Sequence, residues 1–541
     1  MPEEARSAPR RKLWGWGRDG EGLGPAEIED LRRLLAARFG LAELALAAPP
    51  DLGEIDLRPP RVPVPTALAG ILGADPAERA AHTHGKSFTD LARGLRRDYA
   101  SAPDLVARPR DEAEVAAVLD WCAAAAVVAV PYGGGSSVVG GVEPRIGHGH
   151  AAAVSIDMGA LDRVIEVDPV SRSALIQAGV LGPALEDQLR PHGLTLRHYP
   201  QSFEHSSLGG WIATRAGGHY ATLHTRIDDA VQGLRAVTPR GVMETRRLPG
   251  DGAGPQPERL LLGSEGTLGV ITEAWMRLQA RPQFRASTSV RFSSWTDAVA
   301  AARALAQSGL HPSNCRLLDH REALVSGSGD GSAAILILTF ESADHPLDAW
   351  MGRALEIVRE HRGEPDEARR TDRRERDAGR EDAAAAWRRT FLRGGHLRDA
   401  LVRLGLVTET FETAVTWDRF DALHAAVVGA TEAAVAEVCG LGLVTCRLAF
   451  VYPDGPAPYY TVIAAGRPGA EVEQWRAIKA VASDAIIAGG GTITHHHAVG
   501  RDHRPWYDRQ RPPLFADALR AAKRALDPAW IMNPGVLIDP D

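Results

Sequence analysis

Three glycine-rich segments between residues 131 and 274 limit what this chain can build. They read PYGGGSSVVGG (Pro131–Gly141), QSFEHSSLGGWIATRAGG (Gln201–Gly218) and GSEGTLGVITEA (Gly263–Ala274). Taken singly, each reads as a tight turn between strands. Consecutive glycines after a strand also let backbone N–H groups converge on an anion, and serines add hydroxyl donors. The first segment fits neither the P-loop nor the G-x-G-x-x-G dinucleotide spacing, so a diphosphate held there would be held by another kind of fold.

Local patterning around these turns is α+β. DEAEVAAVLDWCAAAA predicts a helix, VVAVPY a strand leading into the first turn, and AAVSIDM, RVIEVD and SALIQAG further strands. LGPALEDQLRPHG predicts a helix between them. Upstream, PAEIEDLRRLLAARFG predicts a helix closed by a glycine cap. The division read from these patterns is an N-terminal extension (1–98), a domain built on the glycine turns (99–281), a second α/β domain (282–485) and a closing segment (486–541). The dense mixed charge of 363–386 reads as a solvated helix or loop.

Composition excludes some functions. The formal net charge is −7 with no basic stripe, so nucleic acid is not an expected partner. Of 62 basic residues only four are lysine, so a lone arginine carries little meaning without its context. Four scattered cysteines (Cys122, Cys315, Cys439, Cys446) form no CxxC and suggest a reduced compartment. The most apolar run, CAAAAVVAV, is too short to cross a bilayer. A cytoplasmic protein is expected, with room for peripheral membrane contact and a homodimer.

In order, PYGGGSS, EHSSLGGWIATRAGG, VTPRG and LLGSEGTLGVITEA resemble the vanillyl-alcohol-oxidase (PCMH) type of FAD-binding domain, and LDPAWIMNPG resembles that superfamily's closing motif. The resemblance implies a two-subdomain FAD-binding domain followed by an α/β cap, with the C-terminal segment returning to the flavin. It assigns FAD contacts to Pro131, Tyr132, Gly133, Gly134, Gly135, Ser136 and Ser137. From the second turn it assigns Gln201, Ser202, Phe203, Glu204, His205, Ser206, Ser207, Thr214, Arg215, Ala216 and Gly217. From the third it assigns Glu265, Gly266, Thr267, Leu268, Gly269, Val270 and Ile271. The first turn holds no histidine that could tether flavin, so FAD is expected to bind non-covalently.

Further segments are similar to the alkyldihydroxyacetonephosphate synthase family: LWGWG, HTHGKSFTDLARGLRRDYASAPDLVARP, CRLLDH, HLRDALVRLGLVTETFETAVTWDR and THHHAVGRDHRPW. The resemblance implies exchange of the acyl group of acyl-dihydroxyacetone phosphate for a fatty alcohol through a flavin N5 adduct. Tyr459 in GPAPYY falls at the family's catalytic tyrosine, although Tyr460 beside it leaves the register open. Arg398 falls at the arginine that binds the substrate's anionic head, and Arg316 at another arginine needed for activity. The triplet His495, His496 and His497 falls in the active site.

If the triplet is a strand, His495 and His497 point into the site and His496 away from it. No acidic partner adjoins them in sequence, and no metal is expected; zinc is the lesser reading. Two other functions share much of this pattern: an FAD-dependent 2-hydroxy-acid dehydrogenase of the D-lactate or glycolate type, and a flavin- or lipid-binding protein without catalysis.

Overall fold

The computed structural model describes residues 10–40, 44–147, 149–220, 222–223, 226–366, 369–372 and 383–540; for 369–372 and 383–392 it describes the backbone alone. Half of the charged 363–386 segment (367–368 and 373–382) lies outside the described residues.

The first sheet runs Leu72–Gly73, Leu105–Ala107, Ala152–Asp157, Val127–Tyr132. Its three longer strands are parallel, so a crossover is required, and helix Glu112–Ala124 supplies it. Asp111 starts that helix by accepting the Glu114 N–H. Every residue of Ala152–Asp157 is buried, as expected for a strand covered on both faces. The edge strand Leu72–Gly73 comes from the segment read as an N-terminal extension.

The second sheet is antiparallel, in the order Val164–Asp168, Ser173–Gln177, Val270–Arg277, Val231–Thr238, Gly241–Glu244. Val127–Tyr132 delivers the first glycine turn, and the third turn leads into Val270–Arg277.

Beyond residue 281 an antiparallel cap sheet includes Phe284–Phe292, Ala334–Ser342, Asn314–Leu318, Gly442–Val451, Pro456–Ala465 and Leu406–Glu412. One face is packed by helices Trp295–Gln307, Asp348–Glu360, Trp417–Cys439 and Glu471–Ala488. Trp417–Cys439 is long and apolar enough to cross a membrane. Here its Phe420, Leu423, Val427 and Val435 are buried in the cap cores.

Alternation along the cap strands explains the opposite face. Cys315, Leu317, Cys446, Leu448 and Tyr460 enter the cap cores, so Arg316, Arg447 and Tyr459 face the other way. Tyr460 is fully buried, stacked on Phe411, with its hydroxyl 3.3 Å from His424 Nδ1. Tyr460 therefore belongs to the cap core, and of the two tyrosines it is Tyr459 that faces the opposite side of the sheet.

The C-terminal segment closes the molecule. Lys523 is buried and bonds Asp527 Oδ2 (2.6 Å) and the carbonyls of Thr267 (2.6 Å) and Met532 (2.8 Å). Asn533 Nδ2 donates to the Gly141 and Glu265 carbonyls, tying the first glycine turn to the third.

Candidate active site

A cavity of about 350 Å³ runs from the glycine turns to the bare face of the cap sheet. Close approach of the turns requires their glycines. A Cβ on Gly134 would lie 1.7 Å from the His205 carbonyl oxygen, and one on Gly133 would lie 2.1 Å from Ser207 Oγ. The first two turns therefore touch backbone to backbone. The N-terminal arm completes the first turn: Arg11 Nη1 donates to the Gly134 carbonyl (2.7 Å) and Nη2 to that of Gly133 (3.3 Å). Trp16 enters the cavity wall against Gly395, where any side chain would collide with the indole.

Most of the predicted flavin contacts line this cavity. They are Pro131, Tyr132, Gly133, Gly134, Gly135, Ser136 and Ser137; Gln201, Ser202, His205, Ser206, Ser207, Thr214, Ala216 and Gly217; and Glu265, Gly266, Gly269, Val270 and Ile271. Five do not. Phe203 packs on Tyr199 and Trp211, and Glu204 is exposed. Arg215 pairs with Asp228, Thr267 donates its hydroxyl to the Ser264 carbonyl, and Leu268 is in the core of the second sheet. Each sits in one of the three glycine-rich segments but turns away from the cavity, because a turn does not present every side chain to one side.

At the cap end, Tyr459 and Arg447 are paired across neighbouring strands, with the Arg447 guanidinium carbon 3.6 Å from the Tyr459 ring centre. Arg447 Nη1 also donates to Glu322 Oε1 (2.6 Å). Arg316 is fully buried, with Nη1 3.2 Å from His219 Nδ1. Burial, with Arg447 nearby, pushes Arg316 down to about 9.

The histidine triplet departs from the strand expectation. Residues 495–497 form a bend, so alternation does not apply. His496 and His497 line the cavity, whereas His495 turns inward to Tyr452, whose hydroxyl lies 2.7 Å from its Nε2. Burial pushes His495 down to about 3 and His497 well below the usual imidazole range.

The acidic partner missing from the local sequence is Glu412, at the end of Leu406–Glu412. It accepts the backbone N–H of His495, of His496 (2.9 Å) and of His497 (2.8 Å), and the Thr494 hydroxyl (2.7 Å). Burial acts to raise the Glu412 carboxyl, but the His496 and His497 rings outweigh it and hold it well below the usual carboxylate range.

Among the described residues, two groups have spacing compatible with a metal: Glu412 with His496 and His497, and Glu21 with His205 and His396. In the first, the bonds that shape the bend already occupy the carboxylate. The second adjoins Lys12, whose charge disfavours a second cation.

Arg398, on helix Ala383–Arg403, lines the cavity with its Nη2 3.8 Å from Glu409 Oε2. Its buried Nε has no hydrogen-bond partner among the described residues. Leu397, Leu401, Val462 and Ile463 add an apolar wall beside it.

Residues 103–246 match the family described as FAD binding domain, and residues 281–537 match FAD linked oxidases, C-terminal domain. The cofactor is FAD. The turns suit it: backbone amides and serine hydroxyls converge where glycines leave no side-chain bulk. The chain is 31% identical to the alkyldihydroxyacetonephosphate synthase of Dictyostelium discoideum, over 86% of this chain and 78% of that protein. It belongs to the alkyldihydroxyacetonephosphate synthase family. The synthase of Trypanosoma brucei brucei is 29% identical over 86% of this chain and 78% of its own length. A solved alkyldihydroxyacetonephosphate synthase superposes with a TM-score of 0.78 at 26% identity, covering 97% of this chain and 98% of that one.

Local sequence reasoning did not find Glu412, Arg447, Arg11, Trp16 or the Lys523–Asp527–Asn533 clasp. For Arg447 a signal was present: an arginine inside the apolar strand LVTCRLAFV implies a polar face at that point.

Proposed function

We propose that this chain exchanges the acyl group of an acyl-dihydroxyacetone phosphate for a long-chain alcohol, releasing the fatty acid and leaving an ether. The bond between the dihydroxyacetone carbon and the carboxylate oxygen breaks, and a bond from that carbon to the alcohol oxygen forms. The alcohol's proton is given up, and nothing is oxidised overall. FAD held by the glycine turns supplies the reactive ring for this chemistry.

Protein groups supply position, charge and proton transfer. Arg398 holds the phosphate, since its guanidinium reaches the cavity while its Glu409 partner stays at 3.8 Å, beyond hydrogen-bond distance. Tyr459 removes and returns a proton at the substrate carbon. Arg447, over its ring, offsets negative charge developing on the phenol oxygen. His496 and His497, fixed by Glu412, face the substrate oxygens. Leu397, Leu401 and Ile463 receive the chain. Val325 lines the cavity while remaining exposed, with exposed Leu324 beside it, so lipid enters there from a membrane surface.

The observation carrying this reading is one cavity that joins the flavin turns, Tyr459 and a half-buried Arg398 whose Nε lacks a hydrogen-bond partner among the described residues. The test incubates FAD-loaded protein with palmitoyl-dihydroxyacetone phosphate and hexadecanol and follows products by mass spectrometry. Alkyl product with released palmitate is expected. Flavin bleached by D-lactate, with no exchange, would replace this reading with a 2-hydroxy-acid dehydrogenase.

A further inference from the structure

The buried charges behind Arg398 form a chain that the reaction does not use directly. Glu409 lies on Leu406–Glu412, almost fully buried, and both its oxygens are occupied from the side away from the cavity. Lys479 Nζ, from helix Glu471–Ala488, donates to Oε1 at 3.0 Å. Trp475 Nε1, one turn earlier on that helix, donates to Oε2, the oxygen that faces Arg398. Lys479 is fixed in turn. It donates to His503 Nε2 (2.8 Å), while His503 Nδ1 bonds the Ala498 carbonyl (2.8 Å). A carbonyl only accepts, so Nδ1 carries the proton and Nε2 offers a lone pair to the ammonium. Burial, with Lys479 adjacent, pushes His503 down to about 3, which keeps the ring neutral.

The geometry is unusual for a half-buried arginine and a buried glutamate on adjoining elements. Such a pair normally closes to a bidentate contact below 3 Å. Here the nearest approach is 3.8 Å. We propose that Lys479 and Trp475 are positioning residues that draw the Glu409 carboxylate back from Arg398, keeping the guanidinium fork open for the anionic head of the substrate. The proposal rests on the reading of Arg398 as the phosphate-binding residue. Glu409 sets the orientation of Arg398 without neutralising it, because its charge is matched from behind.

The test measures binding of dihydroxyacetone phosphate and of inorganic phosphate to FAD-loaded protein by calorimetry, together with KM and kcat for exchange. In Lys479→Met the carboxylate loses its rear partner and closes on Arg398. Anion affinity then falls, and KM rises, by about tenfold, the loss of one charge-assisted hydrogen bond, with kcat changed little. Trp475→Phe, a milder change should Lys479→Met fold poorly, moves the same quantities in the same direction by a smaller factor. Adding Glu409→Gln to Lys479→Met removes the charge that captures Arg398 and restores affinity. A purely structural role for Lys479 would show no such rescue. Unchanged anion binding in both single variants, or no recovery in the double variant, overturns the proposal. Arg398→Met separates the two claims: if it leaves phosphate binding intact, the reading of Arg398 fails; if it abolishes binding while the other variants behave as wild type, only the positioning role fails.

Discussion

The Arg447 guanidinium carbon lies 3.6 Å from the centre of the Tyr459 ring, and the two residues are direct partners across antiparallel strands. Strand register therefore fixes the contact. A cation over a phenol face gains strength as the oxygen takes on negative charge. Tyr459→Phe is expected to reduce exchange by at least about 100-fold while FAD content is unchanged. Arg447→Met is expected to lower kcat more than it raises KM. Steady-state kinetics with flavin absorbance as the occupancy control checks both.

Glu412 organises the histidine bend by accepting three successive backbone N–H groups. Glu412→Gln leaves a single acceptor oxygen for donors that needed two, and should cost roughly 2–4 kcal/mol of stability at pH 7 along with most activity. The pH dependence has a definite sign. The Glu412 carboxyl is depressed in the folded protein, so its contribution is complete above the ordinary carboxylate value of 4.5 and is lost as pH falls through the lower folded value. The stability gap between wild type and Glu412→Gln should therefore narrow on acidification below 4.5. Denaturant unfolding across that range measures it.

Gly134→Ala tests the meeting of the first two turns. The added methyl would lie 1.7 Å from a backbone oxygen that cannot swing away. The turns must separate, and FAD affinity should fall by about tenfold or more. Flavin titration of the apoprotein reads this directly.

Arg11→Ala removes both guanidinium contacts to the first glycine turn. FAD affinity should weaken by about tenfold, with kcat preserved at saturating FAD. An unchanged FAD dissociation constant would show that the N-terminal arm is not part of the flavin site.

Much of the flavin half was legible because its signals are local. VVAVPY forms the strand Val127–Tyr132 and leads into the glycine turn; outside that half, in the N-terminal extension, PAEIEDLRRLLAARF forms helix Pro25–Phe39 with Gly40 as its left-handed cap. The histidine triplet was misread because alternation belongs to strands, and residues 495–497 instead bend around a carboxylate more than eighty positions upstream. No local pattern announces so distant a partner. The choice between Tyr459 and Tyr460 likewise depended on neighbours: Phe411 and His424 form the stack that receives Tyr460. Phe203, Arg215 and Leu268 show the limit of assigning a whole motif to a ligand, since some residues of a turn serve only to support the others.

We propose that the acyl group leaves before the alcohol arrives: FAD held by the glycine turns would supply the ring that takes over the substrate carbon as the carboxylate departs, while Tyr459 moves the proton. The most direct test of this central claim is a single turnover of FAD-loaded protein with palmitoyl-dihydroxyacetone phosphate and no alcohol. Palmitate released in proportion to bound flavin by wild type, and none by Tyr459→Phe with equal flavin content, is the predicted result. No palmitate before hexadecanol is added, or equal release by both proteins, would contradict it.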